Sequence, residues 1–183
     1  RAFAFIGADG VNSRTRTDVL MGPASIYSGM VAWRITLGQS ELDGIVAPDR
    51  TSVLFGPGYH AVCYPLPYRK QFNLVLFTKM PKEQALGGVA PKAPQLPWAA
   101  VPSPRFKALL AAAGDNWGFW PCSTVETDDW YEGGVGLIGD AAHAMLPFQA
   151  QGAVMAIEDA AILAPLLMTE TGPEGALRRY VSL

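Results

Sequence analysis

Hydrophobic and polar positions in this sequence change texture three times along the chain. It opens on Arg1-Ala-Phe-Ala-Phe-Ile6, an almost wholly apolar run broken at Gly7. Such a run predicts a short buried strand, left through the turn Gly7-Ala-Asp-Gly10. Ser13 is the predicted N-cap of a short helix carrying Arg14 and Arg16. From Tyr27 to Thr78 the texture becomes β-branched and aromatic: Val31–Thr36, Thr51–Phe55, Tyr59–Pro65 and Phe72–Thr78 are separated by Gly, Pro and Asp. This pattern predicts three or four antiparallel strands with tight turns. Prolines at 91, 94, 97, 102 and 104 make Ala90–Pro104 a connector. Ser103-Pro104 then reads as N-cap and first residue of a helix over Arg105–Ala113, stopped by Gly114.

The opening texture returns near the end. Gly136-Leu-Ile-Gly139 predicts a second short buried strand, followed by Asp140-Ala-Ala-His143. A helix is expected from about Gly152, with Ala153, Ile157, Ala160, Ala161 and Leu167 as its apolar face and Glu158 and Asp159 in its first half. Pro165 should end or kink it. The economical architecture is a mixed α/β (α+β) fold of two lobes. Residues 1–24 and 122–183 would return to one lobe, and residues 25–121 would form a β-rich lobe inserted between them.

Composition narrows the function. The 183 residues carry a formal net charge of −2, half are hydrophobic and 16% are charged, which excludes a disordered chain. There is no Lys/Arg cluster, so no nucleic-acid partner is expected. The longest apolar run, Ala160–Met168, falls far short of the roughly 20 residues that span a bilayer, so no membrane partner is expected. Two cysteines, Cys63 and Cys122, are too few for a disulfide framework and point to a reducing, cytoplasmic compartment. His60 and Cys63 lack further ligands, and no metal is expected. Gly56-Pro-Gly58-Tyr-His-Ala61 precedes a strand, so its glycines read as a hairpin turn rather than a phosphate loop. Trp117-Gly-Phe-Trp120 reads as an aromatic core cluster.

Chemistry concentrates in the outer pieces. Each ends a strand in an aspartate turn, Gly7-Ala8-Asp9-Gly10 and Gly139-Asp140-Ala141-Ala142. Ligands of open α/β sheets bind just beyond such strand ends, where a carboxylate accepts from ribose hydroxyls and small neighbours let phosphates approach the backbone. Pro147-Phe-Gln-Ala-Gln-Gly152 then leads into a helix whose first amides and positive dipole end suit an electron-rich partner. A flavin ring taking up electrons is one such partner.

Gly7-Ala-Asp-Gly-Val-Asn-Ser-Arg-Thr-Arg16 resembles the G-A-D-G-x-x-S-x-x-R segment of FAD-dependent aromatic monooxygenases of the p-hydroxybenzoate hydroxylase type. The run from Gly139 to Asp159 resembles the same family's G-D-A-A-H-x-x-x-P-x-x-x-Q-G…E-D segment, and Tyr27–Arg34 with His60, Tyr64 and Pro65 is similar to the middle sheet of its salicylate-hydroxylase-like branch. The resemblance implies a partial FAD-binding lobe with a substrate sheet inserted. It places Asp9 and Gly10 near the FAD pyrophosphate, supported by Arg16, and gives Gly139 and Asp140 to the ribityl or ribose hydroxyls. Pro147, Gly152 and Ala153 would line the flavin ring. His60 and Tyr64, two of a kind by even spacing on one strand face, would contact a small aromatic substrate. His143 is expected to serve packing rather than proton transfer.

The implied activity is hydroxylation of an aromatic or phenolic acid, with FAD as cofactor, NAD(P)H and O2 as co-substrates and a flavin C4a-hydroperoxide as oxygen donor. The family's strand–G-x-G-x-x-G–helix unit does not precede Arg1, so the sequence reads as an internal piece that holds FAD weakly or not at all by itself. The expected protein partner is the N-terminal portion of the same enzyme, or a second copy in a homodimer. Two other readings stand beside this one: a non-catalytic fragment or degenerate homologue, and another flavoenzyme on the same scaffold, such as an epoxidase or prenyl reductase.

Overall fold

The structure, a computed structural model, describes residues 3–89, 91–96, 103–148 and 150–183. Arg1 and Ala2 of the expected first strand, Ala90 and the connector's Pro97 and Pro102, and Gln149 of the glutamine–glycine loop lie outside the described residues. The chain divides into two compact units, residues 1–28 with 123–183, and residues 29–122. The crossings fall at Ser28/Gly29 and Cys122/Ser123, a few residues from the expected ones, because each lies inside a strand rather than in a turn.

The first unit is built on a small sheet. Strand β1 (Phe5–Gly7) pairs in parallel with β8 (Val135–Leu137), which pairs in turn with β7 (Tyr131–Glu132), in the order β1-β8-β7. The register Phe5↔Val135, Ile6↔Gly136 and Gly7↔Leu137 leaves both parallel strands ending at one edge. The expected burial of the first strand is corrected: Phe3 and Phe5 are each more than half exposed, since β1 is the edge strand of the described sheet. Helix α3 (Asp140–His143) follows β8 directly. Helix α4 (Gly152–Thr169) and helix α5 (Pro173–Val181) then pack together through Leu163, Leu166, Ala176, Leu177 and Tyr180, joined by Ile6, Trp130 and Ile138.

Of the two outcomes expected at Pro165, an end or a kink, the first does not occur: α4 continues to Thr169. Proline removes one backbone donor and crowds the carbonyl a turn earlier, but Pro165 is exposed, where water can serve the released carbonyl, and Thr169 Oγ1 donates to Pro165 O at 2.9 Å. The buried face is also different. Of the expected face only Leu167 packs, half-buried, against the α4–α5 core; Ala153, Ile157, Ala160 and Ala161 are exposed, and the helix buries Asp159, Leu163 and Leu166, spaced at i, i+4 and i+7. Among the described residues α4 is one helix long and apolar enough, by length and composition, to cross a membrane.

The second unit holds most of a five-stranded sheet in the order β3-β4-β5-β2-β6. Its strands are β2 (Ile26–Gly38), β3 (Ser52–Gly56), β4 (Tyr59–Leu66), β5 (Gln71–Lys79) and β6 (Gly118–Thr124). The hairpin reading of Gly56–Ala61 holds: Gly56 faces Tyr59 across the β3–β4 turn, and Gly58 takes φ +74°, a conformation open to glycine. One sheet face is the core, with Trp33, Tyr59, Ala61, Cys63, Leu74 and Leu76 buried. Helix α2 (Pro104–Ala113) adds Phe106 and Leu109 to the buried set, Phe106 stacking on Tyr59 at 5.3 Å. Ser103 caps α2 by accepting from the Phe106 N–H. A short helix α1 (Lys82–Leu86) follows β5. Strand β6 was not expected; its alternation splits the aromatic cluster, with Trp117 buried and Phe119 against Trp33 at 4.9 Å, but Trp120 about half exposed rather than in the core.

Candidate functional site

Because β1 and β8 run parallel with Gly7 opposite Leu137, the Asp9 and Asp140 turns leave neighbouring strands at the same sheet edge. The link continues past the strands, where the Ile138 N–H donates to Gly7 O at 3.0 Å.

Asp9 organises its own loop. Ser13 Oγ donates to one carboxylate oxygen, and the Thr15 N–H (3.0 Å) and Thr15 Oγ1 (3.1 Å) donate to the other. Burial alone would raise the Asp9 pKa, but these hydrogen bonds outweigh it and hold the group at about 2. Ser13 also accepts from the Arg16 N–H at 2.9 Å, which acts as the cap expected of it, although the segment it opens is a π-helical turn over Thr15–Val19. Gly10, at φ +81°, has open space where a side chain would stand.

Arg16 works from inside the loop. Its side chain is wholly buried. Its guanidinium donates to three backbone carbonyls, Val11 O, Pro23 O and Ala141 O, each at 2.7 Å. The last of these joins residues 125 apart and ties the Asp9 loop to the first turn after Asp140. Burial lowers the Arg16 pKa and the charge of Asp9 opposes that shift; the group remains a cation.

The second turn is fixed from the other side. Gly139 adopts φ +59°, and a Cβ there would meet Ala156 Cβ of α4 at 3.1 Å, so the turn lies tight against that helix. Gly139 is itself buried and spends its N–H on Asp159 Oδ2 at 2.7 Å, while Asp140 is exposed. The Asp140 carboxylate stands beside the start of α4: a Cβ on Gly152 would lie 3.7 Å from Asp140 Oδ1. Gln151 offers no side-chain cap, so the first amides of this 18-residue helix have no side-chain acceptor there. Pro147 and Ala153 are exposed at the same end, and Ala150 takes φ +54°, a strained conformation for alanine. Among the described residues there is no His/Cys/Asp/Glu group that could hold a metal ion.

In the second unit His60 and Tyr64 share the sheet face opposite the core, facing Phe77 and Asn73 on β5. They do not meet. His60 stacks on Phe77 at 4.5 Å, and burial lowers its pKa, favouring the neutral ring. Tyr64 Oη accepts from Arg34 Nη2 at 3.3 Å, and Arg34 Nε donates to Asn73 Oδ1 at 3.0 Å. Arg34, Tyr64 and Asn73 border a cavity of about 500 Å³, together with Thr36, Tyr68 and Arg69 and, among the described residues, with no acidic side chain in its lining. Sequence reasoning missed the pairing of Arg34 with Asn73 and the partners of Asp159. Only the period-2 register of the strands could have joined Arg34 to Asn73.

Two parallel strand ends, an exposed aspartate at a helix N-terminus and an inserted antiparallel sheet define a nucleotide-cofactor fold of the flavoprotein kind. Comparison with known proteins agrees: residues 2–182 match the FAD binding domain family, and the chain belongs to that family. It is 34% identical over 176 residues to 3-hydroxybenzoate 6-hydroxylase 1 of Aquipseudomonas alcaligenes, covering 96% of this chain and 45% of that protein. A 3-hydroxybenzoate 6-hydroxylase of Polaromonas naphthalenivorans is 31% identical, covering 91% and 42%. Among solved structures, Klebsiella pneumoniae HpxO complexed with FAD and uric acid superposes with a TM-score of 0.78 at 26% identity, covering 96% of this chain and 45% of that one. The 2,6-dihydroxypyridine-3-hydroxylase of Arthrobacter nicotinovorans shares the fold, with a TM-score of 0.79 at 23% identity, covering 98% and 52%. The chain thus spans about half the length of the relatives it matches.

Proposed function

We propose that this chain is the part of an FAD-dependent aromatic monooxygenase that carries the ribityl and ring end of the flavin site together with the substrate sheet. One observation carries the reading. The Asp9 and Asp140 turns leave adjacent parallel strands at one edge, and the buried Arg16 bonds from one turn into the other. That edge fits the cofactor: Asp140 is an exposed acceptor for ribityl or ribose hydroxyls, Gly10 leaves room for phosphates, and the α4 N-terminus at Gly152 and Ala153 offers amides to the electron-rich side of the ring. When bound, FAD supplies oxygen activation after reduction by NAD(P)H. The chain's own residues orient and shield; no nucleophile set is required of them.

The substrate is proposed to be a small aromatic acid. The open sheet face offers the neutral ring of His60, stacked with Phe77, as an aromatic wall, and Arg34, Tyr64 and Arg69 as donors for a carboxylate without a competing acid. The names of the relatives, hydroxylases of hydroxybenzoate, support this class.

The test is a titration of the 15N-labelled chain with FAD. Weak, saturable shifts confined to the amides of Gly10, Asp140, Gly152 and Ala153 are expected. Shifts elsewhere, or none at millimolar FAD, would remove the reading. Substrate-stimulated NAD(P)H oxidation by the FAD-loaded protein, phenolic acids against prenyl lipids, then separates the hydroxylase from the other flavoenzymes.

A further inference from the structure

The Gly139–Asp140 turn is the least conventionally supported part of the site. Asp140 is exposed, α3 is a single turn of four residues, and Gly139 sits in a left-handed conformation. Beside the Arg16 bond to Ala141 O, the segment is held by one oxygen of Asp159, twenty residues beyond Gly139. Asp159 Oδ2 accepts the Gly139 N–H at 2.7 Å and lies 2.7 Å from His143 Nε2. A single atom on α4 therefore holds both the residue before α3 and its last residue.

A carboxylate buried on an otherwise apolar helix is costly unless its hydrogen bonds are made. Asp159 is only 9% exposed. Around it stand Trp130, whose ring is 5.1 Å from that of His143, and the phenol of Tyr180, whose pKa burial and the Asp159 charge push upward so that it stays protonated. An ionised carboxylate only accepts, so the facing His143 nitrogen must carry the proton. The same contact that orders the turn thus sets the histidine tautomer.

We propose that Asp159 is a positioning residue of the flavin site. It clamps Gly139 and His143 to α4, so that the Asp140 carboxylate stands at the α4 N-terminus, and it holds His143 as the Nε2–H tautomer. The inference rests on the flavin reading above only for what Asp140 binds; the clamp itself is a property of the free chain.

The experiment is imidazole 15N NMR on the full 183-residue chain, whose two histidines are told apart by His60→Gln. In the wild type at alkaline pH, His143 should show the Nε2–H pattern; an Nδ1–H pattern overturns the clamp without any variant at Asp159. Asp159→Leu is similar in size but removes the shared acceptor, so His143 should lose its preference for the Nε2–H tautomer and Gly139 amide exchange should quicken by about tenfold or more. Unchanged tautomer and exchange in a folded variant overturn the proposal. The FAD concentration for half-maximal Asp140 shift should rise by about tenfold in the same variant. A normal clamp in a wild type that shows no FAD shift at Asp140 would instead overturn the flavin reading, and with it the place of Asp159 in a cofactor site.

Discussion

Replacing Arg16 by methionine tests how the two turns are held together. The guanidinium makes three charge-assisted bonds to carbonyls at 2.7 Å, and among the described residues no carboxylate bonds it. Each such bond is worth about 1.5–3 kcal/mol net. Two of the three carbonyls, Val11 O and Pro23 O, lie in part-buried bonds and can turn to water, whereas the Ala141 bond is buried and its oxygen would be orphaned. Removing the cation also relieves its own burial, which offsets roughly one bond. The balance is a loss of about 3 kcal/mol for Arg16→Met. Arg16→Lys should lose about 2 kcal/mol, because an ammonium cannot fork to carbonyls lying in different directions. Circular dichroism should show the melting temperature of Arg16→Met lower by roughly 6–12 °C. Because the chain has two units, hydrogen-exchange mass spectrometry must assign the loss, and it should fall in peptides from residues 1–28 and 123–183. A loss under about 1 kcal/mol, or one located in residues 29–122, would refute the claim that Arg16 ties the turns.

Further outcomes follow from other parts of the first unit. The folded-state pKa of Asp9, about 2 against an ordinary 3.8, is depressed, so its contribution is complete above about pH 4 and is lost as pH falls toward 2. Since the group is exposed and screened, that contribution is at most about 1 kcal/mol; acid titrations followed by circular dichroism should show it in the wild type and not in Asp9→Asn. Gly139→Ala should cost about 2 kcal/mol in urea unfolding, from the left-handed backbone and the 3.1 Å approach to Ala156, and adding Ala156→Gly should recover part of it. On α4, Ile157→Ser should change stability by less than about 0.5 kcal/mol, while Leu163→Ala should cost about 2–4 kcal/mol; the opposite order would restore the face read from hydropathy.

How far the sequence reaches depends on the range of the physics behind each feature. Strands β2 to β5, the Pro57-Gly58 hairpin and the Ser103 cap on α2 are local, and period-2 texture, turn residues and a cap–proline pair suffice to place them. The face of α4 is not local. Its residues are apolar almost all round, so periodicity could not choose a side, and the choice fell to the partners Leu177 and Tyr180 on α5. Pro165 does not end the helix for a related reason: the cost of a proline depends on whether water can serve the released carbonyl, which is a matter of exposure. The polar residues that hold the candidate site were hidden more deeply. Arg16 bonds to carbonyls, which every residue possesses, so no side-chain pattern marks its acceptors. Asp159 reads as the polar edge of an amphipathic helix until the fold brings Gly139 and His143 to it. The motifs include Arg16 and Asp159 as well as Asp140, but only Asp140 carries its chemistry outward; what the inward-facing charges hold is intelligible only beside the distant groups that compensate them.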